Sequence, residues 1–191
     1  TTMTRFDAQY SIQRLSEYNH SPTAPSFEAV HRIYRYFAND PHRPLFFPRS
    51  KLDGKSLITV KLTPERTESF ELDNGINIFS DATLADDIAT RRSYLCSMIT
   101  LNGICVSMKV TKTDTVHPTT TDSETHAAFL GVHRARPIVE LIANMGIEIH
   151  VQRPPLLHED NAAVTAIINS NKITPGVRHL AIYVRYLQEQ R

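Results

Sequence analysis

Three carboxylates stand where predicted elements begin or end. Asp81 closes "INIFSDA", Glu124 sits inside "TTTDSETHAAFLG", and Asp160 precedes "NAAVTAIINS". Each has an ordinary role. Asp81 suits a turn after a strand, Glu124 suits the third position of a capping box opened by Thr121, and Asp160 suits an N-cap. Taken singly, those roles account for all three. Together the residues occupy element ends, where loops cluster and open α/β sheets carry their sites. Hard carboxylates converging without Cys or His partners suit Mg²⁺ or Mn²⁺ rather than zinc. Two such ions about 3.5–4 Å apart can activate water and stabilise the leaving oxygen in phosphodiester cleavage. The chain has nine histidines, but "HEDN" at 158–161 has no HExxH continuation and the others lack ligand spacing. They are expected to be satisfied or exposed side chains. No P-loop, GxSxG or GxGxxG motif occurs.

These residues need elements to position them. Residues 7–20 and 26–38 read as helices, the second with Ser26 as a possible N-cap and with Val30, Ile33, Tyr34 and Phe37 at helical spacing. "LFFPRS" predicts a short strand stopped by Pro48, and 50–75 predicts extra strands or a long hairpin. After the strand ending at Asp81, "SYLCSMITLNGICVSMKV" predicts two strands joined at Asn102-Gly103. That register sets Leu101 opposite Ile104, Thr100 opposite Cys105, Ile99 opposite Val106 and Cys96 opposite Lys109, so the two thiols are not neighbours. A helix is expected from Thr121 to Met145, stopped at Gly146 and kinked or divided at Pro137. Small residues Ala127, Ala128, Gly131 and Ala135 would let it lie close against a sheet. A proline-interrupted strand region, "EIHVQRPPLLHED", a short helix after Asp160 and a final amphipathic helix, "GVRHLAIYVRYLQEQR", complete the order. The order predicts an α/β domain whose sheet begins as an antiparallel meander.

Composition sets bounds on function. At 191 residues, 21% charged and 41% hydrophobic, the chain is long enough for one domain with a real core, or one domain and an appendage. A net charge of +1 gives no global basic field. No apolar run has the length of a membrane span and "TTMTRFDAQY" lacks signal-peptide character, so no membrane partner is expected. Two cysteines suggest an intracellular, reducing compartment.

In order and spacing, "SDATLADDIATRRSYLCSMITLNGICVSMKV", "TTTDSETHAAF" and "HEDNAAVTAIINSNK" resemble the ribonuclease H domain of copia-type LTR retrotransposon polyproteins. "TRFDAQYSIQRLSEYNHSPTAPSFEAVHRIYRYFAND" resembles the end of the reverse transcriptase that precedes that domain. The resemblance implies an RNase H-like fold, with a mixed sheet, antiparallel first three strands and flanking helices. It divides the chain into a helical segment at 1–48, an extra strand or loop segment at 49–75 and an RNase H-like domain at 76–191. Family catalytic and metal-binding carboxylates carry over to Asp81, Glu124 and Asp160, with two Mg²⁺ or Mn²⁺ ions as cofactors. On that basis Glu124 is a metal ligand for which capping is a second job.

The chain also departs from the family pattern. The family's fourth carboxylate lies in a closing helix beyond a further strand, and this chain stops at Arg191 before either. Ala181 stands where the penultimate helix usually has Asp, there is no tryptophan, and "KVTKTDTVHP" replaces a lysine-bearing segment. Weak metal binding is therefore expected. Two functions follow. One is a ribonuclease H-type endonuclease cutting RNA in RNA–DNA hybrids. The other is a domesticated, nuclease-inactive module, a structural or binding subunit of a larger, ribonucleoprotein-like assembly that meets protein partners through a sheet edge.

Overall fold

The computed structural model describes residues 5–42, 55–61, 67–73, 75–145, 154–170, 172–173 and 175–190. A 3₁₀ turn at Phe6–Ala8 leads into α1 (Gln9–Ser16) and then α2 (Ala24–Asn39). Strands β1 (Lys55–Lys61) and β2 (Thr67–Asp73) form an antiparallel hairpin of their own, from Lys55 opposite Asp73 to Lys61 opposite Thr67. Extra strands or a long hairpin were expected over 50–75, and the two strands described there pair with each other. "LFFPRS" and Gly146 lie outside the described residues.

The main sheet holds β3 (Ile76–Thr83), β4 (Tyr94–Leu101), β5 (Ile104–Lys112) and β6 (Leu156–His158), in the spatial order β5-β4-β3-β6. The first three strands are antiparallel and β6 joins β3 in parallel. Helices α3 (Thr120–Asn144), α4 (Ala162–Asn169) and α5 (Ala181–Glu189, after a 3₁₀ turn at Pro175–Leu180) flank it. This is the mixed α/β arrangement of an RNase H-like fold. No helix among the described residues is long and apolar enough to cross a membrane.

The β4–β5 turn forms at Asn102-Gly103, where both residues have positive φ, 49° and 79°. That is the primed geometry that matches strand twist. Asn102 Oδ1 also accepts the Gly75 N–H at 2.7 Å, pinning the turn to the start of β3. The register holds for Leu101 with Ile104 and Thr100 with Cys105, then slips. Ile99 faces Ser107 rather than Val106, and Cys96 faces Val110 rather than Lys109. A bulge is the cause: Val106 is the extra residue, and it lies exposed while Ile99 is fully buried. Cys96 and Cys105 are free thiols.

Helix α3 lies against β3 and β4, and its small residues explain how. Ala127, Ala128 and Ala135 are buried, and a Cβ on Gly131 would come 2.9 Å from Ile78 Cγ2. Ile76, Ile78, Ile99 and Ala135 form one core cluster; Ala128, Val164, Ile168 and Leu187 form a second. Val132 and Leu157 pack against both and make the two continuous. Of the two outcomes expected at Pro137, a kink or a division, division does not occur, because the flanking Ile138, Val139 and Ile142 are held against the first cluster. Packing on both sides of the missing N–H outweighs one lost helical hydrogen bond.

Helix α1 joins the sheet through polar and aromatic side chains. The Tyr94 hydroxyl donates to the Glu17 carboxylate, and Lys112 Nζ lies 2.7 Å from Glu17 Oε2 and 2.7 Å from Asp87 Oδ2. The Arg14 guanidinium lies 4.9 Å over the Tyr94 ring, and Tyr10 donates to Asp86 at 2.6 Å. In α2 the cap is Thr23, not Ser26. Thr23 Oγ1 accepts the Ser26 N–H while Ser26 Oγ accepts the Thr23 N–H. Pro25 in the first turn explains the shift, since its fixed φ suits a residue already inside the helix.

Candidate metal centre

The start of α3 corrects the expected cap and, in doing so, frees a carboxylate. Thr119 is the N-cap, not Thr121: its Oγ1 accepts the Asp122 N–H at 3.2 Å, and Asp122 Oδ2 accepts the Thr119 N–H at 3.1 Å. The polar run "TTTDSE" holds two overlapping capping boxes, and the earlier one forms. Asp122 also meets His179 Nε2 at 2.9 Å, tying the helix start to the turn before α5. Glu124 therefore does no capping. It is buried, at 8% exposure, takes a hydrogen bond from the Ala82 backbone N–H, and leaves Oε2 without a partner.

The same displacement occurs before α4. Asn161, not Asp160, is the N-cap; its Oδ1 accepts the N–H groups of Ala163 and Val164 at 3.0 and 3.3 Å. Asp160 remains exposed and outside the cap. Before it, Glu159 Oε2 accepts from Ser80 Oγ at 2.6 Å and Oε1 accepts the Asn161 N–H at 3.2 Å. His158 turns away, hydrogen-bonding Asn77 Oδ1 at 2.8 Å and stacking on Phe79 with ring centres 4.5 Å apart.

These elements bring one carboxylate oxygen each from Glu124, Glu159 and Asp160 within 4.8 Å of one another. Glu124 and Asp160 were expected there; Glu159 was not. Asp81 lies near the end of β3, exposed and outside that trio, although its charge reaches both Glu124 and Glu159. The strand also runs two residues past Asp81, to Thr83. Sequence periodicity hides Glu159, since adjacent residues of a strand point to opposite faces. Here β6 ends at His158, and beyond the strand two adjacent carboxylates can converge. The available signal was the adjacency itself, in "HED".

The electrostatics follow from the geometry. Burial pushes the Glu124 carboxyl up to about 7, helped by the charges of Glu159, Asp81 and Asp160 and opposed by the Ala82 N–H. Burial also raises Glu159, against the hydrogen bonds from Ser80 and Asn161. Among the described residues, no Lys or Arg pairs with Glu124, Glu159, Asp160 or Asp81. An uncompensated acidic group with a buried, unpartnered oxygen fits a hard divalent cation, whose charge and oxygen preference would satisfy both deficits. The trio could thus bind a metal ion.

The histidines form a separate layer. His126 Nδ1 lies 3.3 Å from His117 Nε2, and the His126 ring stacks on Tyr183 at 4.9 Å between α3 and α5. Burial lowers the pKa of both histidines, as suits packed neutral rings. With His158 on Asn77 and His179 on Asp122, these groups are mostly satisfied, although His117 Nδ1 is buried without a partner.

No family model and no solved structure matches this chain. Over 190 residues it is 25% identical to the Retrovirus-related Pol polyprotein from transposon RE1 of Arabidopsis thaliana, covering 98% of this chain and 11% of the relative. Over 190 residues it is 24% identical to the Retrovirus-related Pol polyprotein from transposon RE2 of the same organism, with the same coverage. The chain thus spans only 11% of the length of these relatives. The similarity runs over nearly the whole chain, and what the chain is similar to is a segment of retrovirus-related transposon Pol polyproteins.

Proposed function

We propose that this chain is a retroelement-derived ribonuclease H-like domain that hydrolyses RNA in RNA–DNA hybrids with Mg²⁺ or Mn²⁺ held by Asp81, Glu124 and Asp160. The observation that carries this reading is Glu124, buried and free of capping duty, with Oε2 unpartnered among like charges. Leaving a buried carboxylate in that state is costly, and a bound cation would offset the cost. Bound divalent cations would activate a water and stabilise the charge developing on the phosphodiester. The protein's own contribution is position. The second turn of α3 and the turn after β6 bring Glu124 and Asp160 within reach of one another, and Asp81, exposed near the end of β3, is the third ligand in this reading. Asp122 and Asn161 carry the helix caps, so those carboxylates stay available. A hybrid would be gripped through its backbone and 2′-hydroxyls, so binding should weaken steeply with salt.

The test is cleavage of a labelled RNA–DNA hybrid by the purified chain. Cutting that needs Mg²⁺ or Mn²⁺ and disappears in Glu124→Gln supports the reading. An intact hybrid at saturating Mn²⁺ refutes it and leaves the catalytically silent module.

A further inference from the structure

We propose that Glu159 is a fourth carboxylate ligand of the cation site, acting with Glu124 and Asp160 and positioned by Ser80. This rests on the cation-binding part of the proposed function and deepens it. The resemblance takes the family's fourth carboxylate from a closing helix, whereas Glu159 belongs to the turn between β6 and α4. Two observations point to a ligand here. The oxygens of Glu124, Glu159 and Asp160 gather within 4.8 Å, a spacing that one cation could bridge. Independently, Glu124 is more than nine-tenths buried and its Oε2 finds no protein donor.

Glu159 is held as a ligand would be held. Ser80 Oγ donates to Oε2 at 2.6 Å and the Asn161 N–H donates to Oε1 at 3.2 Å, one from β3 and one from the cap of α4. Each carboxylate oxygen accepts one bond and keeps a further lone pair for a cation. Hydrogen bonds of this kind fix the orientation of metal-binding carboxylates, and their removal commonly costs about 10–100-fold in affinity. Ser80 is thus a positioning residue. It stands beside Asp81 in β3, so one strand end supplies both an acidic group and the donor that aims another.

The experiment is a Mn²⁺ titration by calorimetry, with no substrate, on wild type, Glu159→Gln, Glu159→Asp, Ser80→Ala, Ser80→Thr and Asp160→Asn. Melting curves without metal show which variants fold. Wild type should bind Mn²⁺ saturably, and Glu159→Gln should bind about 10–100-fold more weakly. Glu159→Asp keeps the charge but withdraws it by one methylene, and it should also weaken binding. Ser80→Ala should weaken binding by about tenfold, and Ser80→Thr should restore it because the hydroxyl returns. Glu159 variants that bind as tightly as wild type while Asp160→Asn loses binding would overturn the inference. Absence of saturable binding in wild type would overturn it together with the cation site. Cleavage is scored separately: Mn²⁺ binding through Glu159 without cutting would refute the nuclease reading and leave the ligand assignment standing.

Discussion

Two acidic regions of this molecule are built on opposite terms. Between α1 and the sheet, Glu17 and Asp87 meet Lys112, Glu17 accepts from Tyr94, and Asp86 accepts from Tyr10. Hydrogen bonding to Lys112, and then to Thr90, holds the Asp87 carboxyl well below the usual range. Burial lowers the Lys112 pKa, but its bonds to Asp87 and Glu17 outweigh that and leave it raised. Around Glu124, Glu159 and Asp160 the carboxylates face one another instead, and burial and mutual repulsion raise both glutamates. Paired charges fasten one part of the chain to another. Unpaired charges gathered at element ends oppose folding, and a bound cation would offset that opposition.

The largest test of that contrast is catalytic. Glu124→Gln preserves size and removes the charge, so hybrid cleavage should fall by about a thousandfold or more. Stability should not fall with it, because α3 is capped by Thr119 and Asp122. A large drop in melting temperature with little change in cleavage would reverse the comparison and make Glu124 structural.

The next effect is the pH dependence of stability. The Glu124 carboxyl is raised from 4.5 to about 7 on folding, so between those values the folded state holds more protons than the unfolded one. Its contribution is therefore present below pH 4.5 and is lost as pH rises through about 7. The loss is about 2 kcal/mol after allowance for relaxation of the site. Chemical denaturation across this range should show Glu124→Gln gaining on wild type as pH rises, with the difference level above pH 8. Saturating Mn²⁺ should abolish the wild-type loss.

Smaller effects belong to the paired region. Tyr94 is buried, and burial, followed by its bond to Glu17, pushes its hydroxyl up to about 12. Tyr94→Phe should cost about 1.5 kcal/mol, since a hydrogen bond to a charged acceptor is lost. Unlike the Glu124 variant, its effect should be flat between pH 5 and pH 8 and indifferent to Mn²⁺. The smallest change is at the α4 cap: Asn161→Ala should cost about 1 kcal/mol in urea unfolding. Asp160→Ala should cost nothing there, and a loss equal to that of Asn161→Ala would show Asp160 to be the cap after all.

Much of the architecture was legible in the residues alone. The Asn102-Gly103 turn, the small face of α3 and the alternation of strands and helices follow from local conformational preference and periodicity. Asp160 was legible just before α4 and Glu124 near the start of α3, whereas Asp81 was expected to close β3, which runs on to Thr83. What sequence could not resolve was competition between near-equal local choices. Thr119 with Asp122 and Thr121 with Glu124 are chemically equivalent capping boxes, and Asp160 and Asn161 are equivalent caps. Chain packing chose between them, and the choice left Glu124 and Asp160 uncapping. The bulge at Val106 was hidden for a similar reason, because register is set by the burial of Ile99 against α3 and not by the turn alone.

The sequence by itself determined the element types, their order and the acidic character of the site, since propensity and pattern act over a few residues. Only the tertiary structure decided which carboxylates meet. Glu124 and Asp160 are 36 residues apart in sequence, and Glu159 joins them because β6 ends at His158 and Ser80 of β3 reaches across to hold it. Convergence of like charges is opposed by every local interaction, so only the packing of α3, β3 and the β6–α4 turn about a shared core could bring it about.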